Sequence, residues 1–179
     1  MDNRPLEERL RDPQTRRDAF AELLKQFSEP LYWQIRRLVN DHDDANDLLQ
    51  NTFMKAWSAM DDFRGDAKLS TWLHKIALNE ALSHLDRRKR HQTSSLDDDE
   101  HGGASQLEAD EYFDGDEAHE LFRRAIESLQ TKQQMVFNMK YFDDMKYDQI
   151  AEITGTTVGA LKATYHFAVK KIEQFLKSR

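Results

Sequence analysis

Apolar residues return every three or four positions along most of this chain, the signature of helices that each bury one stripe. From Asp18 onward, Phe20, Leu23, Leu24 and Phe27 form one such stripe, and Leu31, Ile35 and Leu38 form another after Pro30. Pro30 is read as the opening of that second helix, because a first turn has no use for the missing amide hydrogen. Asn40 and the acidic run Asp41, Asp43 and Asp44 then make a turn, with Asp43 or Asp44 capping the next helix. That helix is expected to reach Met60 and to bury Ala45, Leu48, Leu49, Thr52, Phe53, Ala56, Trp57 and Met60. The period breaks between Phe63 and Leu69. Ser70 or Thr71 is placed to cap a long helix beginning near Trp72, with Leu73, Ile76, Ala77, Leu82 and Leu85 inward.

Toward the C-terminus, Leu121, Ala125, Ile126 and Leu129 predict a helix, and Thr131 is a candidate cap for the next. Met135, Val136, Met139, Tyr141 and Phe142 continue the apolar pattern up to a turn at Asp143 and Asp144, the methionines being flexible core fillers. In the run Tyr147 to Lys162, Ile150, Ala151 and Ile153 pack a short helix, Gly155 permits its sharp exit, and Thr157 caps another. Leu161, Tyr165, Ala168, Ile172 and Phe175 or Leu176 then return at helical spacing. Short helix, turn and longer helix have the length of a helix-turn-helix unit. Strand alternation is sustained nowhere, and 3 Pro and 6 Gly in 179 residues leave few breakers. The expectation is an all-α chain.

Charge divides it. Residues 1–91 carry 16 basic and 16 acidic side chains, residues 92–118 carry 10 acidic and no basic ones, and residues 119–179 carry 10 basic and 7 acidic. The net charge of -7 therefore describes the middle segment and not a binding face. The stretch 92–116 also holds Ser, Thr and Gly and too little apolar area to offset ordering entropy. It reads as a flexible acidic linker with at most a short helix around Leu107 to Tyr112, and Asp97 to Glu100 lack the pattern of a calcium loop. Two small helical domains follow, 1–91 and 118–179, joined by a linker at 92–117. Its negative charge also suggests shielding of the cationic surfaces from DNA until assembly.

The absence of Cys excludes disulfides, thiolate zinc sites and a cysteine nucleophile. The first residues have no signal-peptide core and no stretch approaches 18 apolar residues, so a cytoplasmic protein without membrane insertion is expected. Scattered His and carboxylates form no catalytic, metal or phosphate-binding constellation, so neither an enzyme nor a cofactor is expected. Between Arg64 and His91, 7 basic residues face 3 acidic ones. Arg87, Arg88, Lys89 and Arg90 suit either a solvated helix end or a nucleic-acid track, and Trp72 suits either core or an exposed base. In the helix-turn-helix, the second helix presents Thr157, Val158, Gly159, Lys162, Ala163 and His166 to bases or adjacent phosphates. Lys162 is the strongest single contact candidate there.

Taken together, Asp43 to Trp57, Phe63-Arg64-Gly65-Asp66, Ser70-Thr71-Trp72-Leu73 and Tyr147 to Lys162 resemble a bacterial RNA polymerase sigma factor of the extracytoplasmic-function family. The resemblance spans roughly residues 18–91 and 118–177. It implies sigma region 2 followed by region 4, with the Leu48 to Trp57 helix docking on the clamp coiled coil of the largest subunit of the polymerase core. Asp47, Gln50, Asn51 and Lys55 are the exposed candidates for that contact. It implies that the Phe63 to Leu69 loop and the following helix recognise and open the promoter element near minus ten. There Trp72 would stack on a flipped base, with Arg64, Lys68, Lys75, Arg87, Arg88, Lys89 and Arg90 as the cationic track. Region 4 would read the element near minus thirty-five as duplex, the linker would thread the polymerase, and an anti-sigma factor is a further implied partner. The chain departs from the family pattern at Thr164 and Phe167, places often held by arginine. A helix-turn-helix regulator outside the sigma family is the runner-up, and would bind duplex without polymerase.

Overall fold

A computed structural model describes residues 4–94 and 117–178, which form eight α-helices and one 3-10 turn and, among those residues, no strand. Of the expected linker at 92–117, residues 92–94 continue a long helix and Glu117 opens the next one. Residues 95–116, with the expected short helix, the Asp97 to Glu100 run and the shielding role, lie outside the described residues.

The first helix, α1 (Leu6–Arg11), precedes every element expected from the sequence and seats Leu10 fully inside the core. The second, α2 (Arg16–Val39), runs straight through Pro30 instead of breaking there. Leu23, Leu31 and Ile35 lie on one continuous buried stripe to either side of the proline. Pro30 and Gln26 are both exposed, which puts the carbonyl that loses its amide partner on the solvent side of the helix. Asn40 ends α2 in the left-handed conformation at φ 55°.

The next helix, α3 (His42–Ser58), is capped by Asp41, whose Oδ1 accepts from the Asp44 amide at 2.8 Å; Asp43 and Asp44 sit in its first turn and are not its cap. It stops at Ser58, and a 3-10 turn (Met60–Asp62) carries Met60 into the core. Trp57 is 45% exposed and not buried. The long helix α4 (Leu69–Ser94) starts before Ser70 and Thr71, because the Trp72 amide already donates to the Lys68 carbonyl at 3.0 Å. Those two residues are inside the helix, and Leu69, Leu73, Ala77, Leu78 and Ala81 form its buried stripe.

The C-terminal unit comprises α5 (Glu117–Glu127), α6 (Thr131–Tyr141), α7 (Tyr147–Thr154) and α8 (Val158–Lys177). Gln130, with no side-chain bond, is the N-cap of α6, and Thr131 is its first helical residue. Tyr141 and Phe142, expected inward, are 54% and 41% exposed. Ala125, Ile126, Leu129, Phe137, Ala168 and Ile172 make a small core of their own between α5, α6 and α8.

The two units also pack together. Met135, Val136, Met139, Met145, Ile150, Ile153 and Leu161 join the N-terminal residues in one core cluster, with α6 against α2 and α7 against α4. Polar contacts concentrate on the last turn of α2. The Arg37 carbonyl, one of the groups a helix end leaves without an intrahelical partner, accepts from Gln134 Nε2 at 3.0 Å and Asn138 Nδ2 at 3.4 Å. The Arg37 guanidinium pairs with Asp143 at 2.8 Å and lies 4.5 Å from the Phe142 ring centroid.

Candidate nucleic-acid interface

Two exposed surfaces carry the residues picked out from the sequence. The first begins at the loop between the 3-10 turn and α4. Gly65 holds φ +80°, a conformation that favours glycine, and a Cβ there would meet Arg11 Nη2 at 2.0 Å, displacing the tip of that side chain. Arg11 reaches in from α1 to donate to the Arg64 carbonyl at 2.8 Å, and its guanidinium lies 5.7 Å from the Phe63 ring. Phe63 is buried and packs at 5.0 Å on Trp72, which is half-buried. Trp72 is thus held by one face with part of its ring open to solvent, a middle course between core filler and free platform. Arg11 was invisible to the periodicity because α1 was not foreseen, although Leu6 and Leu10 stand one turn apart.

Arg64, Lys68 and Lys75 are exposed around this loop, and Arg87, Arg88, Lys89 and Arg90 are all exposed toward the end of α4. Loop, aromatic ring and cations therefore lie along one helix and its approach. Such a surface offers charge to a backbone and a ring edge to an unstacked base.

The second surface is the α7 to α8 unit. Gly155 ends α7 at φ 68°, and its amide donates to the Ala151 carbonyl at 2.8 Å. Thr157 then caps α8, its hydroxyl accepting from the Ala160 amide at 3.3 Å. Thr157, Gly159, Lys162, Ala163 and His166 are exposed and Val158 is half-buried, while Leu161, Ala168 and Ile172 fix the opposite side of the helix. Lys162 Nζ sits 5.8 Å from the Tyr147 ring, and Lys140 Nζ sits 5.5 Å from the same ring. Both cations lie beside the ring that opens α7.

On α3, Asp47, Gln50 and Asn51 are exposed on one face. Lys55 is exposed at its edge with its ammonium on Glu80 of α4. The periodicity missed Met54, which is 68% exposed on this same face, and Trp57 beside it, whose ring lies 4.9 Å from that of Phe20. An exposed methionine among amides and a carboxylate was the available signal.

Residues 23–91 match Sigma-70 region 2, and residues 119–172 match Sigma-70, region 4. The chain is 30% identical to the RNA polymerase sigma-H factor of Pseudomonas aeruginosa, covering 89% of this chain and 86% of that one. It is 31% identical to the ECF RNA polymerase sigma-E factor of Escherichia coli K12, covering 73% of this chain and 72% of that one. This chain belongs to the extracytoplasmic-function family of RNA polymerase sigma factors. As an alternative sigma factor, it serves promoter recognition and transcription initiation. Sigma factors are initiation factors and not enzymes in themselves.

The arrangement of both regions is shared with a solved relative. The sigma factor RpoE of Bartonella quintana, in complex with the anti-sigma factor NepR, superposes with a TM-score of 0.72 at 27% identity, covering 88% of this chain and 96% of that one. Among the described residues of this sigma factor, no helix is long and apolar enough to cross a membrane.

Proposed function

We propose that this sigma factor works in the cytoplasm as two readers on one core-binding scaffold. Domain 1–91 docks on the polymerase clamp coiled coil through Asp47, Gln50, Asn51, Lys55 and Met54, and opens the element near minus ten with Trp72 and the cations of α4. Domain 118–179 reads the element near minus thirty-five as duplex, with Thr157, Val158, Gly159, Lys162, Ala163 and His166 at the major groove. Residues 92–117 connect them. The single observation that carries this reading is that both surfaces stay open to solvent while the apolar sides of α4 and α8 are packed away. An anti-sigma factor is a further partner by analogy with the Bartonella protein, whose complex shares this chain's fold.

The test is transcription in vitro with purified core polymerase on a library of genomic fragments. Lys162→Glu should reduce duplex recognition at the upstream element and leave opening of pre-bound promoters intact. Trp72→Ala combined with neutralised Arg87 to Arg90 should block permanganate-reactive strand opening while duplex binding persists. Equal loss at both steps in both variants would refute the division.

A further inference from the structure

We propose that Phe167 is a specificity-determining residue of α8 that reads thymine methyl groups in the upstream promoter element; this rests on the reading that α8 enters the major groove. Phe167 is 58% exposed, although a ring of this size stabilises a fold only when covered. At about 100° per residue, the exposed arc of α8 runs from Lys162 through His166, Gly159, Lys170, Ala163 and Phe167 to Ala160 and, one turn farther along the helix, Lys171. In the N-terminal turns its two sides differ in chemistry: Lys162 supplies a cation on one, Phe167 and Ala160 are apolar on the other, and the Lys171 ammonium beyond them is held by Gln133 Oε1 at 3.1 Å. A helix lying in a groove turns its edges toward the two walls, so one edge suits phosphate or guanine and the other does not.

The apolar feature that B-DNA presents in the major groove is the thymine 5-methyl group, and phenylalanine is among the side chains that contact it. That methyl projects on the side of the base nearer its own backbone, where the edge of a groove-lying helix passes. Gly159 adds an independent observation. It sits in the first turns of α8, where glycine costs helix stability, and nothing lies within 4 Å of where its Cβ would be. Among the described residues, no packing requires it. A glycine and Ala163 on the open arc let the helix backbone approach a surface closely, which brings the Phe167 ring within reach of the bases.

The test uses holoenzyme reconstituted with core polymerase on a promoter selected from the fragment library. Each thymine of the upstream duplex element is replaced singly by deoxyuridine, which removes the methyl group alone. Wild type should lose about fourfold in initiation at one or two positions, the value of one buried methylene. Phe167→Ala should be insensitive at those same positions, and Phe167→Leu should keep part of the sensitivity. If wild type ignores every substitution, or Phe167→Ala responds as wild type does, the assignment is overturned. Weakened polymerase binding by Phe167→Ala with silent uracils would overturn it too, in favour of a protein contact. Lys162→Glu separates the levels. If that variant leaves dependence on the upstream element unchanged, the groove reading itself falls and takes Phe167 with it. If it abolishes that dependence while uracil stays silent, Phe167 alone is wrongly assigned.

Discussion

Single residues set the rigidity of the loop before α4 and the acid limit of the fold. Gly65 is held at φ +80° beside Arg11, so Gly65→Ala strains a left-handed backbone and displaces the Arg11 guanidinium. It should cost about 1–3 kcal/mol in chemical denaturation, and should impair promoter opening more than upstream duplex binding. Equal stability of the variant would show that the loop relaxes freely. His74 is buried on α4, with Nδ1 at 2.6 Å from Gln34 Oε1. Burial lowers its pKa from 6.5 to about 4, so the folded chain keeps it neutral while the unfolded chain takes up a proton. Its contribution is complete above pH 6.5 and is lost as pH falls toward about 4. At the lower limit the loss reaches about 3 kcal/mol. His74→Leu should flatten urea-derived stability across that window, although the lost bond to Gln34 lowers it at neutral pH. An unchanged slope would assign the acid sensitivity to carboxylates instead.

Elements were legible to the degree that local chemistry alone decides them. The α7 to α8 unit follows its expectation because Gly155 supplies the left-handed exit and Thr157 the cap, both within a few residues of where they act. Thr157→Ala should therefore lose about 1 kcal/mol and fray the first turn of α8. Faster amide exchange at Ala160 with unchanged exchange in α5 would report it, whereas uniform exchange across both helices would contradict a local cap. Elsewhere tertiary burial overrode local signals. Pro30 is a helix opener by its own preferences, yet the stripe from Leu23 to Ile35 holds α2 through it. The start of α4 moved to Leu69 because that side chain is buried, which a search for Ser or Thr caps does not register. The candidate site residues were picked out through spacing and charge, whereas the Arg11 anchor of the loop depends on a contact 53 residues away in sequence.

At the scale of the whole molecule, the proposed division of labour requires the two units to separate. Elements near minus ten and minus thirty-five lie about 25 base pairs apart, roughly 85 Å of B-DNA at 3.4 Å per step. A compact chain of this length has a radius of gyration of only about 16 Å. On that proposal the docking of α6 and α7 on α2 and α4 is a closed state, and its polar contacts are poorly suited to being permanent. Asn138 Oδ1 and Asp143 Oδ2 are buried without hydrogen-bond partners. Burial raises the Asp143 pKa against the opposing pull of Arg37, so the ion pair is offset by its own desolvation. None of this was readable from the sequence, since Arg37 and Asp143 stand 106 residues apart and Arg37 resembled any helix-end cation. With no native cysteine, dye pairs can be placed uniquely at the exposed Ser58 and Ser178. Arg37→Ala removes the guanidinium from both Asp143 and Phe142, and should favour the open state by about 1–3 kcal/mol, lowering transfer efficiency in the free protein. Core polymerase should drive wild type to the same low value, and the variant should bind core more tightly because less closing energy opposes it. Identical transfer efficiency in wild type and variant, free and bound, would mean that the Arg37 contacts do not hold the units together.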